Sequence, residues 1–147
     1  MWCEPIPFLS PIEAARRLRP LGRLVFLDSA ASHPDNGLVS VVAADPFAEF
    51  TASLRETRFG AERIEGCPFA ALDSVLARYA LVPDEAGPGP GAIGAIDFEA
   101  AHFTENLPRP PDLDPDRALI RLGFFDTVLG LDVAAVPPAA AEGAAAG

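Results

Sequence analysis

Sixteen prolines are spread along the chain, and they limit the length of every helix and strand that it can form. Proline lacks an amide proton and clashes with the preceding turn of a helix, so it ends most regular elements. A helix beginning near Ser10 must end before Pro20, and a strand over 38–44 must end before Pro46. The prolines within 108–115 favour an extended segment. The sequence therefore predicts short helices and short strands.

Two helices have recognisable starts. Ser10, Pro11 and Glu13 form an S-x-x-E capping box with proline at the first helical position, so the first helix begins here. Pro68 opens a second helix. Its apolar residues recur at helical spacing and predict one inward face, made of Phe69, Leu72, Val75, Leu76 and Tyr79.

Apolar and β-branched runs predict the strands. They cover 23–30, 38–44, 92–98 and 119–132, and the last is either one bent strand or two short strands around Gly123. Weak alternation over 49–54 and 62–65 suggests a hairpin at a sheet edge. We predict an α+β fold with a mostly antiparallel sheet and a few helices.

The charge of the chain excludes several functions. It has 21 acidic and 11 basic residues, a formal net charge of -10 and a pI near 4.5. Nucleic acid and anionic membranes would repel such a protein, so neither is an expected partner. All the basic residues are arginine, and the absence of lysine excludes Schiff-base catalysis and a phosphate-binding P-loop.

Few residues indicate chemistry. Cys3 and Cys67 form no CxxC pair, and His33 and His102 lie far apart in the sequence, so we predict no metal site. Without a signal peptide or an apolar stretch of membrane-spanning length, the protein is expected to be cytoplasmic. Ser29 ends an apolar strand, where it could either contact a ligand or cap the strand.

Six short blocks of the sequence together resemble a known family. In order, and with their spacing preserved, they are LDS (27–29), SVVAADP (40–46), PFAALDSVL (68–76), GAIG (91–94), ENLP (105–108) and GFFDTVLGLD (123–132). This series resembles the N-terminal domain of the component I chorismate enzymes, which include anthranilate synthase and aminodeoxychorismate synthase. The resemblance implies half of a two-sheet α+β sandwich.

The strand ending in Asp28 and Ser29, with the compact loop after it, looks more like the aminodeoxychorismate synthase branch. Complete enzymes of that branch convert chorismate to 4-amino-4-deoxychorismate, on the way to 4-aminobenzoate and folate. They use magnesium and ammonia from a glutamine amidotransferase subunit. The family's chorismate and magnesium sites lie in a C-terminal catalytic domain whose motifs are absent from this sequence. The resemblance therefore implies no catalytic residue, metal or cofactor in this chain, and a catalytic domain as its partner in cis or in trans.

Many family members also hold tryptophan in a pocket of the N-terminal domain. By resemblance, Ser29 and Ser40 occupy positions of that pocket. Where the family often has an arginine and a tyrosine before the second serine, this chain has Leu38 and Val39, which removes a charge partner and a stacking surface. Two alternatives remain open: a free-standing regulatory module that binds tryptophan or a related aromatic molecule, and the N-terminal domain of an anthranilate synthase.

The domain boundaries follow from composition. Residues 1–133 are expected to form the component I N-terminal domain, and the Ala-, Pro- and Gly-rich residues 134–147 a linker or disordered tail. The chain could thus be a fragment, a split subunit or an independent module. A domain without its other half should expose apolar surface and tend to self-associate.

Overall fold

The computed structural model describes residues 4–7, 9–29, 39–79 and 91–132. These residues form an α+β structure with two antiparallel sheets, which confirms the predicted fold class. They divide into two compact units. The first contains the described residues up to Asp45 together with 127–132, and the second contains the described residues from Pro46 to Asp126.

The regular elements are short, as the prolines predict. The helices are α1 (Pro11–Leu18) and α2 (Pro68–Arg78), with 3-10 helices at Arg19–Leu21 and Phe98–Phe103. The strands are β1 (Val25–Leu27), β2 (Val39–Ala43), β3 (Ala48–Ala52), β4 (Thr57–Phe59), β5 (Glu62–Ile64), β6 (Gly91–Ile96), β7 (Ile120–Phe125) and β8 (Leu129–Asp132).

The first unit packs α1 on a three-stranded sheet with the order β1-β2-β8. The predicted helix start is confirmed, because the Ser10 side-chain oxygen accepts a hydrogen bond from the Glu13 amide at 3.3 Å. The Glu13 carboxylate pairs with Arg17 one turn later. Ala14 of α1 and Val42 of β2 are fully buried in one apolar cluster, because small alanines let the helix approach the sheet closely.

The second unit packs α2 on a five-stranded sheet with the order β5-β4-β3-β7-β6. Its core centres on Phe50 of β3 and Phe124 of β7, with Val75 of α2 fully buried against them. The ring of Phe124 contacts the rings of Phe59 and Tyr79, with centroids 5.0 and 5.9 Å away. This core is much larger than that of the first unit.

Two predicted elements differ from the observed ones. The segment 119–132 does form two strands, but the break falls at residues 126–128, where the chain passes from the larger sheet to the smaller. Gly123 lies inside β7. The predicted hairpin forms as β4 and β5 at the sheet edge, whereas the stretch that we assigned to its first strand is β3, the middle strand of the sheet.

The inward face of α2 also differs from the prediction. Leu72 and Val75 are buried as expected, but Leu76 and Tyr79 are each 41% exposed, and Ala71 is buried. The inward face of α2 is therefore centred on Ala71, Leu72 and Val75, which places Leu76 at its border. The proposed linker at 134–147 lies outside the described residues, as does most of the loop after β1.

Candidate functional site

The two predicted pocket residues, Ser29 and Ser40, are neighbours across two strands. Ser40 lies in β2, the middle strand of the smaller sheet, and Ser29 lies two residues beyond the end of β1. The antiparallel register pairs Leu27 with Val41, so the next residues along, Asp28 and Ser40, face each other. The Ser29 amide donates a hydrogen bond to the Ser40 side-chain oxygen at 3.1 Å.

The Ser40 hydroxyl is fully buried and hydrogen-bonded on both sides. It accepts from the Ser29 amide and donates to Oδ1 of Asp28 at 2.9 Å. Burying a hydroxyl without partners would cost about 1–3 kcal/mol, and this arrangement avoids that cost. Ser40 therefore joins the end of β1 to the middle of the sheet.

The Ser29 hydroxyl also uses its proton within the protein. It donates to the carbonyl oxygen of Val39 at 2.7 Å. With both hydroxyl protons engaged, the polar atoms left at this site are acceptors: the oxygens of the exposed Asp28 carboxylate and the lone pairs of Ser29. Such a group of oxygens suits a ligand that donates hydrogen bonds, above all an ammonium group.

Asp28 is the site residue that sequence reasoning missed. It was part of the LDS block but had no assigned role. The signal was present, since the residue before Ser29 must face Ser40 once the two strands pair in the observed register. Its carboxylate supplies the only formal charge among the three residues of this site.

The family's tryptophan pocket often has an aromatic ring at the residue before the second serine and an arginine one residue earlier. This chain has no aromatic ring at that first position. Val39 is 38% exposed and offers an aliphatic side chain where the family often has tyrosine. Leu38 lies outside the described residues. The oxygens of Asp28 and Ser29 suit an amino group as donor, while stacking an aromatic ring would require residues other than Val39.

The remaining candidates do not gather into a second site. His102 lies in the 3-10 helix Phe98–Phe103, and Cys67 is exposed at the start of α2, whereas His33 and Cys3 fall outside the described residues. Within the described ranges, no cluster of three or more His, Cys, Asp or Glu side chains is placed to hold a metal ion.

Asp97 forms an ion pair at the end of β6. It occupies the N-cap position of the 3-10 helix, but its side chain makes no capping hydrogen bond. Its carboxylate instead accepts a hydrogen bond from the Arg117 guanidinium at 2.6 Å. This ion pair links the end of β6 to the segment before β7.

Comparisons with known proteins add no identification. No family model matches this chain, and no curated protein matches it either. In the part of the chain that the structure describes, no helix combines the length and the apolar character needed to cross a membrane.

Proposed function

We propose that this chain is the non-catalytic N-terminal domain of a component I chorismate enzyme of the aminodeoxychorismate synthase branch. One observation supports the proposal above the others. Blocks of the resemblance that are distant in sequence are adjacent in the sheets: LDS faces SVV across β1 and β2, and GAIG faces the GFF of β7. Two segments that pair in a sheet depend on each other, so members of one family are expected to keep both.

The glycines of these blocks give the second pairing a steric reason. A Cβ atom on Gly94 would lie 2.0 Å from the carbonyl oxygen of Arg121, so only glycine fits in β6 at this point. On Gly123, a Cβ atom would lie 2.8 Å from the Phe125 ring. Gly94 is therefore required by the backbone of β7, whereas a side chain at position 123 would require the Phe125 ring to move.

In this role the chain supplies scaffold and contact surface, and the chemistry belongs to its partners. A chorismate-binding catalytic domain, in cis or in trans, would hold chorismate and magnesium. A glutamine amidotransferase subunit would deliver ammonia to that domain. The complex would make 4-amino-4-deoxychorismate in the cytoplasm.

Coexpression tests this proposal. The full chain and a separately encoded chorismate-binding domain from the same genome should copurify and form 4-amino-4-deoxychorismate from chorismate, magnesium and ammonia. The catalytic domain expressed alone is the control and should be less active. Formation of anthranilate would assign the pair to the other branch, and failure to associate at micromolar concentration would contradict the split-enzyme version.

The acceptor oxygens of Asp28 and Ser29 favour one second candidate, a free-standing module that binds an aromatic amino acid through its ammonium group. Tryptophan titration during thermal unfolding tests it, since a ligand at 100 times its dissociation constant stabilises a protein by about 2.7 kcal/mol. The shift should be lost in Asp28→Asn and kept in Asp45→Asn. An unchanged unfolding temperature at millimolar tryptophan would exclude this candidate.

A further inference from the structure

Among the described residues, β6 forms an open edge of the larger sheet. β6 is the last strand in the order of the larger sheet, and its inner edge pairs with β7 from Gly91–Phe125 to Ile96–Ile120. No strand within the described ranges pairs with its outer edge. The residues of β6 therefore present backbone groups that a further strand could bind.

The hydrogen-bond pattern identifies those groups. The Asp97 amide donates to the carbonyl oxygen of Leu119 at 2.8 Å, in the same register as the β6–β7 pairs. In an antiparallel pair, residues alternate between pointing toward the partner strand and pointing away from it. Because Asp97 points toward β7, the backbone groups of Ala92, Gly94 and Ile96 point away, to the outer edge.

Within Gly91–Ile96, the sequence of this edge lacks the usual features that protect an edge strand against pairing. β6 has the sequence GAIGAI, with no charged residue and no proline, and six residues make it long for an edge strand. Ile96 is 52% exposed, and Phe98 just beyond the strand is 90% exposed. Natural edge strands are more often short, charged or interrupted.

We propose that the outer edge of β6 binds β6 of a second copy of this chain, antiparallel, with Gly94 on the two-fold axis. The three residues with outward backbone groups are symmetric about Gly94. An antiparallel copy therefore brings its own outward groups into register, with Ala92 facing Ile96 of the second copy and Gly94 facing Gly94. This inference does not depend on the proposed function.

The side chains fit this register as well as the backbone does. Each large side chain of β6 faces a small one: Ile96 faces Ala92 of the second copy, and Ile93 faces Ala95. On the axis, the two glycines bring no side chains into the contact. This strand is thus sterically complementary to itself in the one register that uses its whole outer edge.

Electrostatic repulsion between the two β6 strands of the dimer is small. Each copy carries a formal charge of -10, but β6 carries none of it. In this register the two Asp97 residues lie at opposite ends, about 20 Å apart at roughly 3.4 Å per residue, well beyond the screening length of about 8 Å in physiological salt. The remaining repulsion acts between whole molecules at long range, so salt should strengthen the dimer.

The contact is small, which sets the expected affinity. Two six-residue strands, with the exposed Ile96 at the end of each and Phe98 just beyond it, form an interface at the lower limit of specific contacts. We expect a reversible dimer with a dissociation constant of about 1–100 μM. Because every copy of the chain carries this uncharged edge, the concentration of the binding partner is that of the protein itself.

Sedimentation velocity of the full chain measures this equilibrium. The dimer fraction should rise with protein concentration over roughly 1–300 μM and should rise again with added sodium chloride. A chain that stays monomeric over this range in high salt would overturn the proposal. A dimer that salt dissociates would also overturn it, because that behaviour indicates ion pairs rather than strand pairing.

Two variants address the edge directly. Ala92→Pro removes an outward amide while sparing the hydrogen bonds to β7, and Ile96→Lys puts a charge on an exposed position of the edge. Each substitution should raise the dissociation constant of the dimer at least about tenfold, which is roughly the effect of losing one strong contact. Leu76→Lys is the matched control, since Leu76 is 41% exposed and lies on α2 rather than on the proposed edge. If Leu76→Lys weakens the dimer as much as Ile96→Lys, the proposed surface is wrong.

Hydrogen exchange gives a readout that does not depend on variants. On dimerisation, the amides of Ala92, Gly94 and Ile96 should become protected, while those of Ile93 and Ala95, already directed at β7, should change little. Uniform protection along β6, or none, would contradict pairing at its outer edge.

Discussion

In the smaller sheet the middle strand buries a serine, whereas in the larger sheet the middle strand buries a phenylalanine. Ser40 of β2 and Phe50 of β3 are both fully buried. Ser40 holds Asp28 and Ser29 through hydrogen bonds, while Phe50 is surrounded by apolar side chains of its sheet and of α2. The smaller sheet thus buries a hydrogen-bonded serine in its middle strand, whereas the middle strand of the larger sheet buries an aromatic ring.

This difference indicates where each kind of function can reside. A polar ligand needs oriented hydrogen-bonding atoms, and the smaller sheet supplies them beside Ser40. Association of protein chains needs accessible apolar surface and free backbone groups, and the larger sheet supplies both at β6. Each of the following changes tests one side of the comparison, beginning with the largest expected effect on stability.

Phe50→Ala should be the most damaging change. Removing a fully buried phenylalanine leaves a large cavity and typically costs about 3–5 kcal/mol. Urea denaturation followed by circular dichroism would measure the loss. Phe47→Ala is the control, because Phe47 is 50% exposed and its removal leaves no closed cavity. Equal losses in the two variants would show that the larger sheet does not depend on its central ring.

Gly94→Ala should follow, because it separates β6 from β7. The added Cβ atom would overlap the carbonyl oxygen of Arg121, a backbone atom that cannot move without breaking the strand pair. We expect a loss of about 2–4 kcal/mol in the free energy of unfolding. Gly60→Ala, in the β4–β5 turn with φ of 58° and open space around it, should cost only about 1 kcal/mol. A Gly94→Ala variant as stable as Gly60→Ala would show that the two strands are not in close contact.

Ser40→Ala tests the polar centre of the smaller sheet. It removes the acceptor of the Ser29 amide and the donor to Asp28, and we expect a loss of about 1–3 kcal/mol. Ser74→Ala is the matched control, since the Ser74 hydroxyl is exposed and bonds only the carbonyl of Ala70 in its own helix. Thermal unfolding of both variants would make the comparison, and equal small losses would mean that Ser40 has no structural importance.

Local signals in the sequence predicted elements well, and long-range packing decided the rest. Ser10 and Pro11 gave the start of α1 because capping involves only neighbouring residues. The end of β7 was misjudged because Gly123 resembled a break, whereas the chain leaves the larger sheet only after Phe125. That exit depends on which sheet each half of the segment joins, and no local pattern encodes it.

For the site, the sequence predicted the two serines but not what they contact. Ser29 and Ser40 were chosen by resemblance, and the structure brings them within hydrogen-bonding distance. Asp28 was missed because its role requires the register of two strands separated by a loop. Whether the three residues bind a ligand is decided by the titration proposed above.

The smallest expected effect concerns the polar contacts at the rim of the larger sheet. The Asp97–Arg117 pair is short, at 2.6 Å, and the Asp97 side chain is 32% exposed, so Asp97→Asn should cost about 0.5–1 kcal/mol. The Arg55–Asp116 pair is longer, at 3.3 Å, and both its side chains are about two-thirds exposed. Asp116→Asn should therefore change the unfolding temperature hardly at all, and raising the salt concentration should bring the two variants closer together. If Asp97→Asn proved as costly as Ser40→Ala, polar contacts at the rim would matter as much as those at the centre, and the contrast between the two sheets would fail.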